Sequence, residues 1–471
     1  MPASHWRPVI QNASGPKYLA IVNAIAADIA SGVLAPLQKL PAQRQLAETL
    51  GIHFTTVTRA YREAHARGLL EARVGAGSFV SEKAARNIEQ TSSAQPQRSV
   101  SEDRAAIDMS MNLPPEPCDV LLQQRLRDNF DALGRQLREL MRYQQAGGTL
   151  TDRAVACEWL APCITCTPEQ LVVVPGAQAA LLAIFMLLKL SPGRPLYCAE
   201  LTYPGVKRAA AQLNIPLYGL PFDADGIDPV AFERACQQQQ VGALYLNPVL
   251  HNPTAITMSL KRRHQIAELA LRYQVTIIED DAYGMLPRYP LPPVATLAPH
   301  NTWYIAGLAK CLGAGLRVAY TVAPSAAEAQ RLLGVLRATS VMASPLTTAL
   351  ASQWIASGTA TQLLEAIRTE TRYRREIAEQ LLPNTALSGE SDAFHLWLRL
   401  PANWTRAAFA HHLTRRGVSV VPSDSFAVMD VPPEAVRLSL GGAISREELG
   451  VALTDIAATL TEDPASGAVV I

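Results

Sequence analysis

Six short segments place reactive side chains at the ends of apolar runs. They are PGAQAAL (175–181), LTYPG (201–205), HNPTA (251–255), IIEDDAYG (277–284), LAKCLGAGLR (308–317) and AVRLSL (435–440). Together they offer an amine (Lys310), adjacent carboxylates (Asp280 and Asp281), two phenols (Tyr203 and Tyr283), an amide (Asn252) and two guanidinium groups (Arg317 and Arg437). A lysine amine can condense with a carbonyl compound, and a carboxylate can hold a cationic ring nitrogen. Hydroxyl or amide donors can meet a phenolate oxygen, and an aromatic face can cover a ring. Amides at a helix start, joined by a cation, can hold a phosphate. Lys310 follows a strand-like run and precedes a glycine-rich stretch, an unusual setting for a plain surface lysine.

These segments need a scaffold that brings strand ends together. LVVVP (171–175), PLYCAE (195–200), GALYLNP (242–248), VTIIEDD (275–281), TWYIAG (302–307) and LRVAYTVA (316–323) are short and β-rich, with helical stretches between several of them. That alternation predicts an α/β fold with a mostly parallel, helix-covered sheet, whose ligands bind at the carboxyl ends of its strands. From about residue 330, long helical segments precede AFHLWLRL (393–400), GVSVVP (417–422) and AVRLSLG (435–441). This reads as a smaller α+β lobe.

The first 80 residues follow another plan. Tyr18, Ile21, Val22, Ile25 and Ile29 form one apolar helix stripe. A second helix, 42–50, stops at Gly51, and a third, 55–67, turns Val57, Ala60, Tyr61 and Ala64 inward. Its outward face carries Thr55, Thr58, Arg59 and Arg62. Two short helices joined at a glycine are a helix-turn-helix signal, and 69–80, with Gly75 and Gly77 at a hairpin tip, reads as a wing. Residues 1–80 carry a net charge of +4 against −3 for the remainder, as expected of a small DNA-binding module.

Between the two parts, 81–104 is rich in Ser, Gln, Glu and Arg and almost free of large apolar side chains. Such a stretch cannot offset its ordering entropy, so 81–106 is expected to be a flexible linker. With 471 residues, 49% apolar and 18% charged, the whole excludes a fully disordered chain, a collagen and a coiled-coil rod. Seven scattered cysteines predict reduced thiols and a cytoplasmic setting, not a disulfide framework. Cys163-x-x-Cys166 has no second pair at metal spacing, so no metal is expected. The longest apolar run, 179–188, is too short to span a bilayer, and the start is unlike a signal peptide.

KLPAQRQLAETLG, TTVTRAYREAHARGLL and GAGSFV, in that order, resemble the GntR-type winged helix. The resemblance implies contacts to double-stranded DNA from Arg44, Thr55 and Thr56, with Thr58 and Arg59 on the same face and the wing backbone at Gly75 and Gly77. The six body segments, also in order, resemble fold-type I aminotransferases, which use pyridoxal 5′-phosphate. By that resemblance Lys310 would form the internal aldimine, Asp280 would pair with the ring nitrogen, and Tyr283 and Asn252 would hold the phenolate oxygen. Tyr203 would stack on the ring. Arg317, with the amides of Ala177 and Gln178, would bind the phosphate. Tyr143, in YQQAGG (143–148), would reach the phosphate of the neighbouring subunit of a homodimer, and Arg437 would take a carboxylate of the substrate or effector. Gly307, Ala309 and Ala255 depart from the usual pattern, which implies weaker cofactor binding than in a dedicated transaminase.

A winged helix (1–80) linked to an aminotransferase-like body (107–471, large lobe about 145–330, small lobe about 331–471) resembles the MocR subgroup of GntR-type regulators. The expected function is a transcription regulator that binds pyridoxal phosphate and senses it, or an amino-acid-like effector. The alternative is an aminotransferase with an accessory DNA-binding head.

Overall fold

The computed structural model describes residues 6, 8, 17–30, 33–35, 37–66, 69–73, 77–81, 106–238, 240–383 and 387–462. The chain divides into two compact units, Met1–Glu102 and Asp103–Ile471.

In the first unit, α1 (Lys17–Ala30), α2 (Gln43–Leu50) and α3 (Phe54–Ala66) precede an antiparallel hairpin of β1 (Leu70–Arg73) and β2 (Gly77–Val80). The apolar stripe of α1 (Ile21, Val22, Ile25, Ile29) is buried against Leu46, Val57, Ala60, Tyr61, Ala64 and Val80. Gly51 ends α2 in the left-handed region, φ 61°, where its N–H reaches the carbonyls of Ala47 and Glu48. That conformation suits glycine, and it turns the chain into α3 within three residues. The Tyr61 hydroxyl donates to the Pro41 carbonyl at 2.8 Å, tying α3 to the start of α2. Gly75 lies outside the described residues; Gly77 opens β2 at φ 109°.

The second unit is built on a seven-stranded sheet. Its order is Leu171–Val174, Ala319–Val322, Thr302–Gly307, Thr276–Asp280, Ala243–Leu246, Leu196–Ala199, Leu217–Leu220. All neighbours are parallel except that Ala319–Val322 runs against both of its own. The reason is local. Between Gly307 and Ala319 the chain makes two short 3-10 turns and no crossover helix, so it can only reverse. Both faces are covered, which is why these strands are near-continuously apolar. Leu171 and Val173 pack with Trp159 and Tyr304, and the alternate residues Val172 and Val174 pack with Phe185 and Ile305. The edge strand Leu217–Leu220 had no sequence signal.

Beyond the long helix Thr359–Leu381, a four-stranded antiparallel sheet takes the order Leu387–Ser388, His395–Arg399, Ala435–Ser439, Val421–Pro422. Ile107–Asp108, at the head of the body, pairs in parallel with Val418–Ser419, and Met109 joins the core of this sheet. The first residues of the body therefore belong with its last hundred.

Candidate functional site

The carboxyl ends of the parallel strands converge on one place. Thr276–Asp280 ends on Asp280, Thr302–Gly307 runs straight into the turn Leu308–Lys310, Ala243–Leu246 ends next to Asn247, and Leu171–Val174 precedes Gly176. Pairing register places Asp280 beside Ile305, two residues before that strand ends.

Asp280 is 3% exposed. Its Oδ2 accepts from the Tyr245 hydroxyl at 2.9 Å, and its Oδ1 has no partner among the described residues. Burial raises its pKa to about 6, against the lowering effects of Tyr245 and Lys310. A buried carboxylate with one oxygen unmatched favours a cation brought to that oxygen. Asp281 turns away to the Tyr304 hydroxyl at 2.5 Å, so the strand's alternation selects Asp280 for the site.

Lys310 is largely withdrawn from solvent, and desolvation, helped by the positive charge of Arg437, lowers its amine to about 8. About one-tenth of it is therefore neutral at pH 7, far more than for an ordinary lysine, as a nucleophilic amine requires. Its Nζ donates to the Asn112 carbonyl. Tyr283 is pushed up by burial and remains a phenol; its hydroxyl accepts from Asn112 Nδ2 at 2.8 Å. Arg437 lies on Ala435–Ser439, donates through Nη1 to Asn252 Oδ1 at 3.0 Å and through Nη2 to the Ser110 carbonyl, and leaves Nε unpartnered. With its oxygen engaged by Arg437, Asn252 Nδ2 donates to no acceptor among the described residues. Asn247 braces the arrangement, donating to the Asp280 carbonyl at 2.7 Å and accepting from the Asn252 amide at 2.9 Å.

A second cluster forms an anion cradle. The helix Ala177–Leu188 begins after Gly176, and the first-turn amides of Ala177 and Gln178 have no carbonyl within the helix. A Cβ on Gly176 would stand 3.1 Å from Arg317 Nη2, which places the guanidinium at this helix start. Gln178 Nε2 donates to the Gly205 carbonyl at 2.9 Å, and a Cβ on Gly205 would strike the Tyr203 ring at 2.2 Å. Tyr203, at the start of Pro204–Gln212, feels the charges of Asp280, Arg317 and Arg437, so it borders both clusters.

Lys310, Asp280, Tyr283, Asn252, Tyr203, Arg317, Arg437 and the helix start at Ala177 and Gln178 are thus brought together. Tyr143 is not; it is 86% exposed. His251 is buried, bonds Thr254 Oγ1 at 2.8 Å, and is held neutral by burial, its pKa lowered to about 4. Asn112, Tyr245, Asn247 and Ser110 carry no motif, and sequence reasoning misses them. The donor set fits pyridoxal phosphate: an unmatched carboxylate oxygen, a desolvated amine, free amide and phenol donors, and an amide–guanidinium cradle. Among the described residues no group of three or more His, Cys, Asp or Glu could hold a metal ion, and no helix is long and apolar enough to cross a membrane.

In the first unit, Arg44 is exposed and its guanidinium lies 5.7 Å from the Phe54 ring centre. Thr55 is exposed and Thr56 half-buried on the first turn of α3. Thr58 directs its hydroxyl to Gln43 Oε1 at 3.0 Å and the Phe54 carbonyl at 3.1 Å. Arg59 stacks on Tyr18 at 4.0 Å and donates to its hydroxyl at 3.3 Å, so part of its donor set is engaged inside the module.

The class I and II aminotransferase family profile matches residues 107–456, and that of the bacterial regulatory proteins of the gntR family matches 17–80. An uncharacterised HTH-type transcriptional regulator of Bacillus subtilis, YdeF, is 30% identical over 94% of this chain and 94% of its own length. A second, YdfD, also of Bacillus subtilis, is 30% identical over 77% of this chain and 79% of its own. The α-aminoadipate aminotransferase LysN of Thermus thermophilus, solved with N-(5′-phosphopyridoxyl)-L-leucine, superposes with a TM-score of 0.69 at 21% identity. The match covers 75% of this chain and 92% of LysN, a likeness of fold. The cofactor of the class I and II aminotransferase family is pyridoxal phosphate. The chain belongs to the MocR type of GntR-family regulators, in which a winged helix-turn-helix is fused to a class I and II aminotransferase body.

Proposed function

We propose that this protein is a DNA-binding transcription regulator whose body holds pyridoxal phosphate on Lys310 and responds to an amino compound carrying a carboxylate. The observation that carries the reading is the union, in one chain, of a GntR head with the Lys310, Asp280 and Arg437 constellation. When bound, the cofactor supplies an electrophilic carbon and an electron-withdrawing ring. Lys310 offers the amine. Asp280 balances a proton on the ring nitrogen with its unmatched Oδ1. Arg317 and the amides of Ala177 and Gln178 hold the phosphate, Tyr203 covers the ring, and Tyr283 and Asn252 give donors to the phenolate oxygen. Arg437, exchanging the Ser110 carbonyl for a ligand carboxylate, orients the effector in a fork geometry.

A homodimer in the cytoplasm completes the reading. Val120, Leu121, Met141 and Tyr143 are exposed apolar or aromatic side chains suited to a second copy, and Tyr143 would complete that copy's phosphate site. The operator then contains two half-sites. Arg44, Thr55 and Thr56 with the wing at Gly77 face DNA, and Thr58 and Arg59 contribute mainly by bracing that face.

The test selects binding duplexes from a random pool with the full chain, then compares wild type with Arg44→Ala on a selected and an unselected duplex at two salt concentrations. A guanine contact predicts a selective loss of about 1–3 kcal/mol. A phosphate contact predicts a uniform loss and a salt slope lower by about one. Unchanged binding to both duplexes would remove the head from the DNA interface. Turnover of an amino acid with an oxo acid would instead favour the aminotransferase reading, which the retained Lys310, Asp280 and Arg437 keep open.

A further inference from the structure

We infer that Asn112 is a positioning residue that aims the Tyr283 proton at the phenolate oxygen of the bound cofactor. This rests on the reading of the site as a pyridoxal phosphate site.

The Tyr283 ring is closely packed, and a flip about its own axis would leave the hydroxyl where it is. Tyr283 is 2% exposed and packed 5.4 Å from the His395 ring centre and 6.0 Å from that of Phe394. Only the O–H bond is free to rotate. A phenol has one proton and two acceptor lone pairs. Asn112 Nδ2 donates to the oxygen at 2.8 Å, so the proton cannot point that way. Among the described residues no other acceptor takes it. It is left for whatever enters the site.

Asn112 is itself well held. It is 6% exposed, and in the cofactor-free chain its backbone carbonyl accepts from Lys310, a contact given up when that amine joins the cofactor. The flanking chain is pinned by Met109 N–H to the Ser419 carbonyl and Ser439 N–H to the Met109 carbonyl, each 2.9 Å, and by Arg437 on the Ser110 carbonyl. At Gly441 a Cβ would stand 1.8 Å from the Leu113 oxygen, so this close approach needs a glycine. The backbone that carries the amide is therefore held, and the amide itself is fixed by its bond to Tyr283, its Oδ1 having no partner among the described residues. Had it presented its oxygen to Tyr283, it would have absorbed the proton that the cofactor needs. One residue thus touches both the amine and the phenol, from a segment 171 residues distant from Tyr283 in sequence.

The test is a pH titration of the visible absorption band of the full chain loaded with pyridoxal phosphate. A phenolate oxygen deprived of a donor holds the proton on the adjacent nitrogen more tightly. Asn112→Leu removes the donor that polarises and orients the hydroxyl but leaves its proton able to reach the phenolate, so the spectroscopic pKa should rise by a fraction of a unit. In a Tyr283→Phe background the same substitution should add nothing, because its effect passes through the hydroxyl. Asn112→Asp is nearly isosteric but accepts only; it should draw the proton to itself and shift the band at least as far. It keeps the test decisive if the leucine variant does not fold. No shift in either variant, or an equal shift with Tyr283 replaced by Phe, overturns the inference while the cofactor reading stands. A wild-type chain that takes up no pyridoxal phosphate overturns both.

Discussion

Gly176→Ala should damage the body twice over. Gly176 sits at φ 92°, ψ 162°, a region essentially reserved for glycine. Forcing an alanine there costs about 1–3 kcal/mol. Its new Cβ would stand 3.1 Å from Arg317 Nη2 and 3.3 Å from Cζ, so the guanidinium must give way by a few tenths of an ångström. Arg317 starts from a left-handed backbone of its own, φ 51°, which limits how it can retreat. Displacing it weakens a charge-assisted contact worth about 1.5–3 kcal/mol, or roughly tenfold to a hundredfold in affinity for pyridoxal phosphate. Urea unfolding of the ligand-free chain reads the first loss, and a cofactor titration followed by absorbance reads the second. Gly307→Ala is the matched control. Gly307 lies at φ −86°, and its Cβ would meet the Ala177 Cβ at an ordinary 3.6 Å, so stability should stay within about 0.5 kcal/mol of wild type. Equal damage from both variants, or none from Gly176→Ala, would refute the cradle geometry.

Asp280→Asn should bind the cofactor more weakly yet stabilise the ligand-free chain at high pH. The buried carboxyl has its pKa raised from 3.8 to about 6, so its favourable share of stability is complete below about pH 4 and lost as pH rises through 6. At pH 8 the substitution should recover roughly 3 kcal/mol, measured by urea unfolding across pH; a variant with the wild-type pH profile would contradict this. His251 and His395, lowered to about 4 and about 3, act in the opposite sense, and stability tied to them falls as pH drops below 6.5. His395→Phe should therefore flatten the acid limb of the unfolding profile, and an unchanged acid limb would contradict it. Arg59→Ala should cost the winged helix about 0.5–1 kcal/mol through its lost stacking on Tyr18, read by thermal melting. No change in melting would free Arg59 for DNA.

Much of the site was legible because it sits where short motifs end strands. Asp280 closes a β-rich run, Lys310 follows one and Arg437 lies in the middle of one, and the strand period of two separates Asp280 from Asp281. What was not legible depends on chain segments far apart. Tyr245 reads as one more core aromatic until the sheet places it on Asp280, 35 residues away. Asn112 stands shortly before a Pro-Pro pair with nothing around it to suggest chemistry. The edge strand Leu217–Leu220 is broken by Gly219 and flanked by Pro216 and Pro221, so periodicity had little to register. Cys166 Sγ lies 3.3 Å from Cys157 Sγ, a contact between a loop and the preceding helix that sequence spacing does not show. In the head, helix bounds followed the glycine and the apolar stripe to within a residue. The stacking of Arg59 on Tyr18 joins two helices that sequence spacing cannot relate.

The account stands or falls on where pyridoxal phosphate attaches. The full chain, saturated with the cofactor, is reduced with borohydride, digested and mapped by mass spectrometry. A pyridoxyl phosphate group on Lys310, absent from Lys310→Ala while that variant keeps its near-ultraviolet circular dichroism, is the predicted result. Labelling of another lysine, or a reducible visible band that survives in Lys310→Ala, would contradict it.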